Sequence, residues 1–317
     1  AVEELSAVDA STAILVDVQN TLVIDPLLHA ASADQKARYF PQLATKTVGA
    51  YALSEPDSGS DAFGLQTKAT KRGDGWVLDG RKLWITNGAE AGVYVIFANA
   101  DFSKGYKGIT AFIVERGFKG FAVGKKEDKL GIRASSTTEL ILDACEVPAA
   151  NVLGEVGKGY KLAIETLNTG RIGIGAQMIG VARGALDAFR ELASRKSTTM
   201  STALLRDRPL VQARVAEAEA ILSAGRAHVE VAVADLWARA GRGESDLDAA
   251  VVQARLAITH GMQQAVRAVD LVFHAAGTNA VYERNPLERH FRDIHVAVQH
   301  AAEPVVEVWR GVARVHE

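Results

Sequence analysis

Four long amphipathic runs in the second half of the chain constrain its fold more than any other feature. They cover residues 160–194, 208–240, 247–276 and 286–314. Glycine-containing breaks separate the later runs, at Gly241-Arg-Gly243 and at Gly277-Thr-Asn279. Long amphipathic helices joined by short links pack side by side, so we predict a four-helix bundle over residues 156–317.

The middle of the chain shows the apolar–polar alternation and the turn residues that are typical of β-strands. The predicted strands cover residues 76–80, 93–99, 109–114 and 140–142. Asp79-Gly80 is a turn signal, and Pro148 closes the region. Short strands at regular spacing favour an antiparallel barrel or sandwich over residues 48–155.

The first 47 residues have helical spacing in three short stretches, which cover residues 2–5, 10–16 and 33–40. We expect Pro26 to break this helical segment and Pro41 to end its third helix, since proline cannot donate the helical hydrogen bond. A segment of this length is too short to bury a core of its own.

Composition excludes several classes of function. The formal net charge is -2 and no basic tract stands out, which argues against nucleic acid as a partner. The single cysteine, Cys145, cannot form an internal disulfide, and no Cys/His spacing suggests a metal site. We interpret Cys145 as a small buried apolar residue in a strand. No apolar run approaches the length of a membrane span, and a reducing, cytoplasmic location is expected.

Two neighbouring motifs indicate a ligand site. Tyr51-Ala-Leu-Ser-Glu-Pro-Asp-Ser-Gly-Ser-Asp61 is rich in turns, and the hydroxyls of Ser54, Ser58 and Ser60 could hold an anionic or heteroaromatic ligand. In Leu83-Trp-Ile-Thr-Asn-Gly88, the alternation of a strand places the Trp84 indole and the Thr86 hydroxyl on one face. An indole against a ring and a hydroxyl at its edge suit a flavin. Either motif alone favours an ordinary loop or strand end, whereas the two together favour the flavin site.

These motifs resemble those of the acyl-CoA dehydrogenase superfamily, and residues 2–189 are most similar to its short/branched-chain members. The resemblance implies an α+β multidomain fold: a partial helical N-terminal segment, a central antiparallel β-barrel and a C-terminal four-helix bundle. It also implies that residues 1–47 are the remnant of a larger helical domain. Further matching segments are Asp17-Val-Gln-Asn20, Gln35-Lys-Ala-Arg-Tyr39, Gly105-Tyr-Lys-Gly-Ile-Thr110, Lys129-Leu-Gly-Ile-Arg-Ala-Ser-Ser136, Gly157-Lys-Gly-Tyr160 and Leu167-Asn-Thr-Gly-Arg-Ile-Gly173.

The resemblance implies FAD as cofactor and an acyl-CoA thioester as substrate. The residues that match the flavin-binding positions of the family are Tyr51, Leu53, Ser54, Gly59, Ser60, Trp84, Ile85 and Thr86. The residues that match its acyl-CoA contacts are Ser60, Tyr106, Tyr160, Asn168 and Arg171. The guanidinium group of Arg171 suits a phosphate or an adenine face.

The catalytic base of the family has no counterpart at either of its usual positions. Most members carry a glutamate about nine residues after an Arg-Asp pair, which is Arg292-Asp293 in this chain. The matching position holds Ala301. Some members carry the glutamate at the position of Gly170 instead. Glu303 lies close by, but two residues along a helix is about 200° of rotation, which turns it away. His300 replaces the tyrosine that usually precedes the base, and a neutral imidazole can accept a proton near pH 7. Glu303 and His300 are the two candidate catalytic residues.

The last third departs from the dehydrogenase pattern. Residues 194–202 replace the family's Arg-x-Gln-Phe-Gly run, and residues 286–300 resemble flavin-dependent hydroxylases of the same fold, in which a histidine at the position of His300 acts near the flavin. Those enzymes take reduced flavin from a separate reductase. We interpret His290 and His295 as surface or interhelix polar packing.

Three functions therefore remain open. The first is an FAD-dependent dehydrogenase of a short or branched acyl-CoA, with an electron-transfer flavoprotein as partner. The second is a two-component flavin monooxygenase that works with a flavin reductase on an apolar small molecule. The third is a catalytically silent member of the family. The resemblance also implies a homo-oligomer, with a tetramer as the expected form.

Overall fold

The computed structural model describes residues 1–58, 64–197 and 202–301, without the side chains of residues 300 and 301. The chain folds into two compact units. The helical unit contains Ala1–Ile14, Lys129–Ile132 and the described residues from Arg171 onwards. The β unit contains Leu15–Asp128 and Arg133–Gly170.

The helices have the following bounds: α1 Val2–Val8, α2 Ala10–Asp17, α3 Asp25–Ala30, α4 Ala33–Leu43, α5 Gly159–Arg195, α6 Pro209–Gly241, α7 Asp248–Ala276 and α8 Pro286–Ala301. A π-helical segment, Val18–Ile24, joins α2 to α3. A 3₁₀ segment covers Phe102–Gly108. The long helices α5 to α7 begin and end within a residue or two of the predicted runs, which are confirmed. The fourth run is confirmed from Pro286 to Ala301, and its residues 302–314 lie outside the described part of the chain.

The bundle of the helical unit packs around a continuous apolar core that includes Met178, Phe189 and Val269. Small residues permit its close helix contacts. The Cα atom of Gly261 in α7 lies 3.3 Å from where a Cβ atom on Gly225 of α6 would stand. A Cβ atom on Gly261 would in turn lie 2.8 Å from Val229 Cγ2 of α6, so a side chain at either position would crowd this contact between the helices.

The two proline predictions for the N-terminal segment were wrong in detail. The chain stays helical through Pro26, the second residue of α3, because α3 directly continues the π-helical segment Val18–Ile24. Pro41 lies inside α4, which continues to Leu43. Ser32 and Gln35 form a capping box that fixes the start of α4.

The strands have the following bounds: β1 Gly49–Ala52, β2 Lys68–Arg72, β3 Gly75–Thr86, β4 Val93–Asn99, β5 Ile109–Glu115, β6 Phe121–Lys126, β7 Thr137–Pro148 and β8 Val152–Leu153. They form one sheet, in which seven of them follow the order β6-β7-β3-β2-β4-β5-β8. Strand β1 is not part of this order and pairs with β4. All strands predicted from the alternation are present.

Most strand pairings are antiparallel, as predicted, but the sheet also contains parallel ones. Strand β1 pairs with β4 in parallel, with Gly49 opposite Val93. A single parallel pairing also joins β2 to β4. Because β2 and β3 lie between β1 and β4 in the chain, these two strands are not joined by a hairpin and can run parallel.

Cys145 lies fully buried in β7, as predicted. Burial, together with the negative charges of Asp79 and Glu146, raises the pKa of its thiol to about 12, so the residue behaves as a small apolar side chain. Within the described chain, no helix has the length and apolar character to cross a membrane. The described residues also contain no cluster of three or more His, Cys, Asp or Glu side chains suited to a metal ion.

Candidate active site

A bulge near the end of β3 turns Trp84 out of the core of the β unit. Lys82 pairs with Leu140 of β7 and Ile85 with Thr138, so β3 has one more residue than β7 between these two pairs. Trp84 takes a left-handed backbone conformation, with φ of 61°, and its side chain is 61% exposed. A non-glycine residue with this φ is strained unless the surrounding structure holds it there. The structure therefore presents a large flat ring at the surface.

The bulge also interrupts the alternation of side chains from which Trp84 and Thr86 were predicted to lie on one face of the strand. After the exposed Trp84, Ile85 is buried and Thr86 is partly exposed. Both members of the predicted pair, Trp84 and Thr86, thus keep access to solvent. Thr86 pairs with Thr137 across the sheet.

The chain after β3 makes a tight turn that packs against the start of β1. Asn87 has a φ of 65°, donates its backbone N–H to the Ser136 carbonyl at 3.0 Å, and donates its side-chain amide to the Gly49 carbonyl at 3.2 Å. At Gly88, a Cβ atom would overlap the hydroxyl of Thr138. This close approach explains why a residue without a side chain is needed in the turn.

The two motifs found in the sequence lie next to each other in the β unit. Strand β1 ends at Ala52, and the Leu53 carbonyl accepts a hydrogen bond from Lys82 Nζ at 3.1 Å. The next carbonyl, of Ser54, accepts the backbone N–H of Leu83 at 3.0 Å. The backbone of Leu53 and Ser54 is therefore fixed beside the strand that carries Trp84.

Some polar atoms in this region have unused hydrogen-bonding capacity. Tyr51 Oη, Asn87 Oδ1 and Thr138 Oγ1 are buried and have no hydrogen-bond partner among the described residues. Buried polar atoms are normally paired, so these three are available to a polar ligand or to water. The ring of Tyr51 packs on Phe97 with 5.1 Å between centroids, and burial raises the pKa of its hydroxyl above the usual value.

An ion pair that the sequence reasoning missed lies beneath this site. Lys82 Nζ is 2.7 Å from Glu55 Oε1, and the two side chains are 0% and 3% exposed. Burial lowers the pKa of Lys82 to about 8, against the opposing effect of Glu55. Burial alone would raise the pKa of Glu55, but Lys82 and the N–H donors around the carboxylate outweigh it and hold the pKa below its usual value. The sequence contains a signal for the burial of Lys82. This residue follows Leu78 and Gly80 at intervals of two residues, which places all three on the inward-facing side of a strand.

Two of the predicted substrate residues lie in contact. The rings of Tyr106 and Tyr160 are 4.7 Å apart. Tyr106 belongs to the 3₁₀ segment, whose chain reverses at Gly105 with φ of 54°, and Tyr160 belongs to the first turn of α5. Gly159 allows α5 to start against β5, since a Cβ atom there would stand 2.8 Å from the Thr110 carbonyl carbon.

The remaining predicted binding residues lie in α5 or follow β1 in the sequence. Asn168 lies farther along α5, and Arg171 follows three residues later as the first residue of the C-terminal part of the helical unit. Ser58 is buried and exchanges backbone hydrogen bonds with Glu55. Gly59 and Ser60 lie outside the described residues.

Leu22 fills the space at one of the two usual positions of the base. A Cβ atom on Gly170 would lie 2.9 Å from Leu22 Cδ2 and 3.9 Å from Thr21 Oγ1. The other position, Ala301, is the last described residue of α8. The side chains of His300 and Ala301, and the whole of Glu303, lie outside the described part of the chain. Both catalytic candidates therefore stay predictions.

The two other histidines of α8 are interhelix polar residues, as interpreted from the sequence. His290 is buried, and its ring lies where a side chain on Gly184 of α5 would stand. Burial lowers the pKa of His290 to about 4. His295 Nε2 lies 3.0 Å from Asp270 Oδ1 of α7.

Comparison with known families gives a consistent match along the chain. Residues 1–47, 50–145 and 172–303 match the family models of the acyl-CoA dehydrogenase N-terminal, middle and C-terminal domains, respectively. A probable short/branched chain specific acyl-CoA dehydrogenase from Dictyostelium discoideum is 44% identical over 301 residues, covering 93% of this chain and 70% of that protein.

Solved structures agree with these matches. Butyryl-CoA dehydrogenase from Megasphaera elsdenii superposes with a TM-score of 0.89 at 34% identity, over 100% of this chain and 80% of that one. A chain from the structure of an electron transferring flavoprotein of Acidaminococcus fermentans gives a TM-score of 0.89 at 34% identity, over 99% and 80%.

Proposed function

Since the chain belongs to the acyl-CoA dehydrogenase family, whose members depend on FAD, we propose that it catalyses the α,β-dehydrogenation of a short or branched acyl-CoA thioester. The relative from Dictyostelium discoideum is named for short/branched chains, and the structural neighbour from Megasphaera elsdenii for butyryl-CoA. FAD, when bound, takes up the hydride that leaves the β-carbon of the substrate.

The observation that carries the proposal is the exposed indole of Trp84 beside the fixed backbone of Leu53 and Ser54. The ring offers a flat apolar face, and the Thr86 hydroxyl stands two residues away along the strand. Buried polar atoms without partners, including Asn87 Oδ1, add capacity for hydrogen bonds. These features suit a heteroaromatic ring system. Ile85, which matches another flavin-binding position, lies between Trp84 and Thr86 in β3.

The Tyr106–Tyr160 pair is proposed to contact the acyl-CoA. Tyr106 is about half exposed, so the pair offers an aromatic face to a ligand. Asn168 and Arg171 would act farther along α5, with the guanidinium group of Arg171 binding a phosphate or the adenine. Ser60 is proposed to contact both the cofactor and the substrate.

The α-proton of the thioester must be accepted by a base of the protein. Because Leu22 occupies the space at Gly170, we assign this role to the C-terminal region, with His300 and Glu303 as the candidates. A neutral imidazole at position 300 has the appropriate basicity near pH 7.

Two electrons must then leave the protein for a carrier. The neighbour from the electron transferring flavoprotein structure supports a carrier of that kind as partner. A homotetramer and a cytoplasmic location are part of the same proposal, and sedimentation and cell fractionation would test them.

The test is anaerobic mixing of the FAD-loaded protein with butyryl-CoA or 2-methylbutyryl-CoA. We expect loss of the flavin absorbance band with either thioester and no loss with CoA alone. Preserved absorbance with both thioesters in a protein that has bound FAD would contradict the dehydrogenase.

The lack of a carboxylate at positions 170 and 301 favours a second candidate, the two-component monooxygenase with a flavin reductase. A monooxygenase would form its product only in the presence of oxygen and of flavin that has been reduced externally. A protein that takes up no flavin would instead be a silent member of the family.

A further inference from the structure

We propose that the buried Lys82–Glu55 pair is a positioning element of the flavin site. It sets the distance between the Leu53–Ser54 backbone and the bulge that presents Trp84. This inference rests on the flavin site proposed above, and it assigns to these two residues no contact with the cofactor.

The lysine end of the pair connects two strands at the point where both approach the site. Lys82 is the last regularly paired residue of β3 before the bulge, two residues before Trp84. Its Nζ atom donates to the Leu53 carbonyl at 3.1 Å and to Glu55 Oε1 at 2.7 Å. The side chain is fully buried while that of Trp84 is exposed. Lys82 therefore holds the inner side of the strand whose outer side carries the indole.

The glutamate end extends the connection to a third stretch of backbone. Besides Lys82, the Glu55 carboxylate accepts the backbone N–H of Gln66 at 2.6 Å and that of Thr67 at 3.1 Å. Charge-assisted hydrogen bonds of this kind are short and directional. One carboxylate thus ties the residues before β2 to the chain that leaves β1.

A role in stability alone explains this pair poorly. Removing two charges from water costs about as much as their attraction returns, and a well-packed apolar pair of similar volume often stabilises a fold at least as well. What the ion pair adds is direction, because each hydrogen bond fixes an atom of the backbone. The strained conformation of Trp84 needs such fixed surroundings.

The main test replaces both charges at once with Lys82→Met/Glu55→Gln. The glutamine keeps an acceptor for the N–H groups of Gln66 and Thr67, while the tie to β3 is lost. FAD affinity is measured by titration, the bound flavin by its absorption and fluorescence spectra, and the apo-protein by thermal unfolding. We expect a folded protein with FAD affinity lowered by about tenfold, the usual effect of removing a supporting residue, and with a shifted flavin spectrum.

The matched control is Lys119→Met/Glu146→Gln. This lysine–glutamate pair, at 2.7 Å, is exposed on both sides, and Glu146 lies opposite Val77, towards the other end of β3 from the bulge. The control should keep the FAD affinity and the flavin spectrum of the wild type. Equal effects of the two double variants would overturn the proposal, as would wild-type affinity and spectrum in the folded Lys82→Met/Glu55→Gln protein.

A second variant applies if the first does not fold. Glu55→Asp keeps the charge and shortens the reach of the carboxylate by one carbon, so that it cannot hold Lys82 and the backbone of Gln66 together. We expect weaker FAD binding in this variant too, and unchanged binding would overturn the proposal. A wild-type protein that binds no FAD would refute the flavin site itself, and the positioning role with it.

Discussion

The rings of Tyr106 and Tyr160 lie 4.7 Å apart, at 45° to each other, and join the 3₁₀ segment after β4 to the first turn of α5. Tyr106 is 51% exposed, so this aromatic pair is open on one side. A ligand that packs against it gains aromatic contact without a rearrangement of the core.

Replacing Tyr106 with alanine should weaken acyl-CoA binding and leave the cofactor in place. An aromatic contact of this kind contributes about 0.5–1.5 kcal/mol, so we expect KM to rise by about two- to tenfold with little change in kcat. Steady-state kinetics with butyryl-CoA, together with FAD titration, measure both effects. Phe102→Ala is the matched control, because Phe102 is an exposed aromatic residue of the same segment. A KM equally raised in the control would refute a specific contact at Tyr106.

Replacing Trp84 with glycine should separate cofactor binding from stability. The left-handed φ of 61° costs a non-glycine residue about 1–3 kcal/mol, whereas glycine adds about 0.5–1 kcal/mol of backbone entropy cost. We therefore expect the free energy of unfolding of the apo-protein to stay the same or to rise, while FAD affinity falls because the indole is lost. Chemical denaturation and FAD titration give the two values.

Trp84→Ala is the control for that experiment. Alanine also removes the indole but keeps the strained backbone. It should lose as much FAD affinity as Trp84→Gly without the gain in stability. Full FAD affinity in both variants would mean that the ring does not touch the cofactor.

Asp17 makes the stability of the β unit dependent on pH. Its carboxyl group is buried near the end of α2, and burial raises its pKa to about 6, partly offset by the hydrogen bond with Thr21. A carboxyl whose pKa is raised by folding stabilises the protein fully below the unfolded value of 3.8 and loses that contribution as pH rises towards 6.

Asp17→Asn should therefore be more stable than the wild type at pH 7, by up to about 3 kcal/mol, and by much less at pH 4. Urea unfolding at the two pH values measures the difference. An equal gain at both pH values would show that the carboxylate is not the cause, and Asp34→Asn provides an exposed control near the start of α4.

Amphipathic periodicity was sufficient to predict the long helices, because it reports the buried face of a helix directly. The pairing of β1 with β4 could not be predicted this way, since alternation shows which residues are buried and not which strand lies alongside. The left-handed conformation of Trp84 was equally hidden, because glycine, asparagine and aspartate are the residues that signal such a φ in a sequence. Proline was misleading at position 26, where the chain passes from a π-helical segment into α3 without a break.

The candidate site was predictable to the extent that its residues match a family motif. Tyr106 and Tyr160 are far apart in the sequence, and only the resemblance placed them together. The alternation in β3 places Lys82 at an inward-facing position, but its pairing with Glu55 depends on a tertiary contact that the alternation does not show. No residue pattern could show that Leu22 fills the space at Gly170, because that space is formed by two separate helical segments.

Ala301→Glu should restore a carboxylate at the usual position of the base. If the chain is a dehydrogenase that lacks this group, we expect faster flavin reduction by butyryl-CoA, since a positioned general base contributes about 10²–10⁴-fold. Anaerobic stopped-flow absorbance measures the rate. Ala301→Gln has nearly the same shape without the basic group, and a similar acceleration in both variants would argue against a base at position 301.

Gly170→Glu alone should gain little, because Leu22 stands in the way. The new Cβ atom would lie 2.9 Å from Leu22 Cδ2, so the side chain could enter only by displacing the leucine. Leu22→Ala removes that obstacle, and the double variant Gly170→Glu/Leu22→Ala should show the faster flavin reduction that Gly170→Glu lacks. The control is Gly170→Gln/Leu22→Ala, which fills the same volume with a neutral amide. Equal rates for the glutamate and glutamine double variants would show that this position does not face the α-carbon of the substrate, and the base would then have to come from the C-terminal region alone.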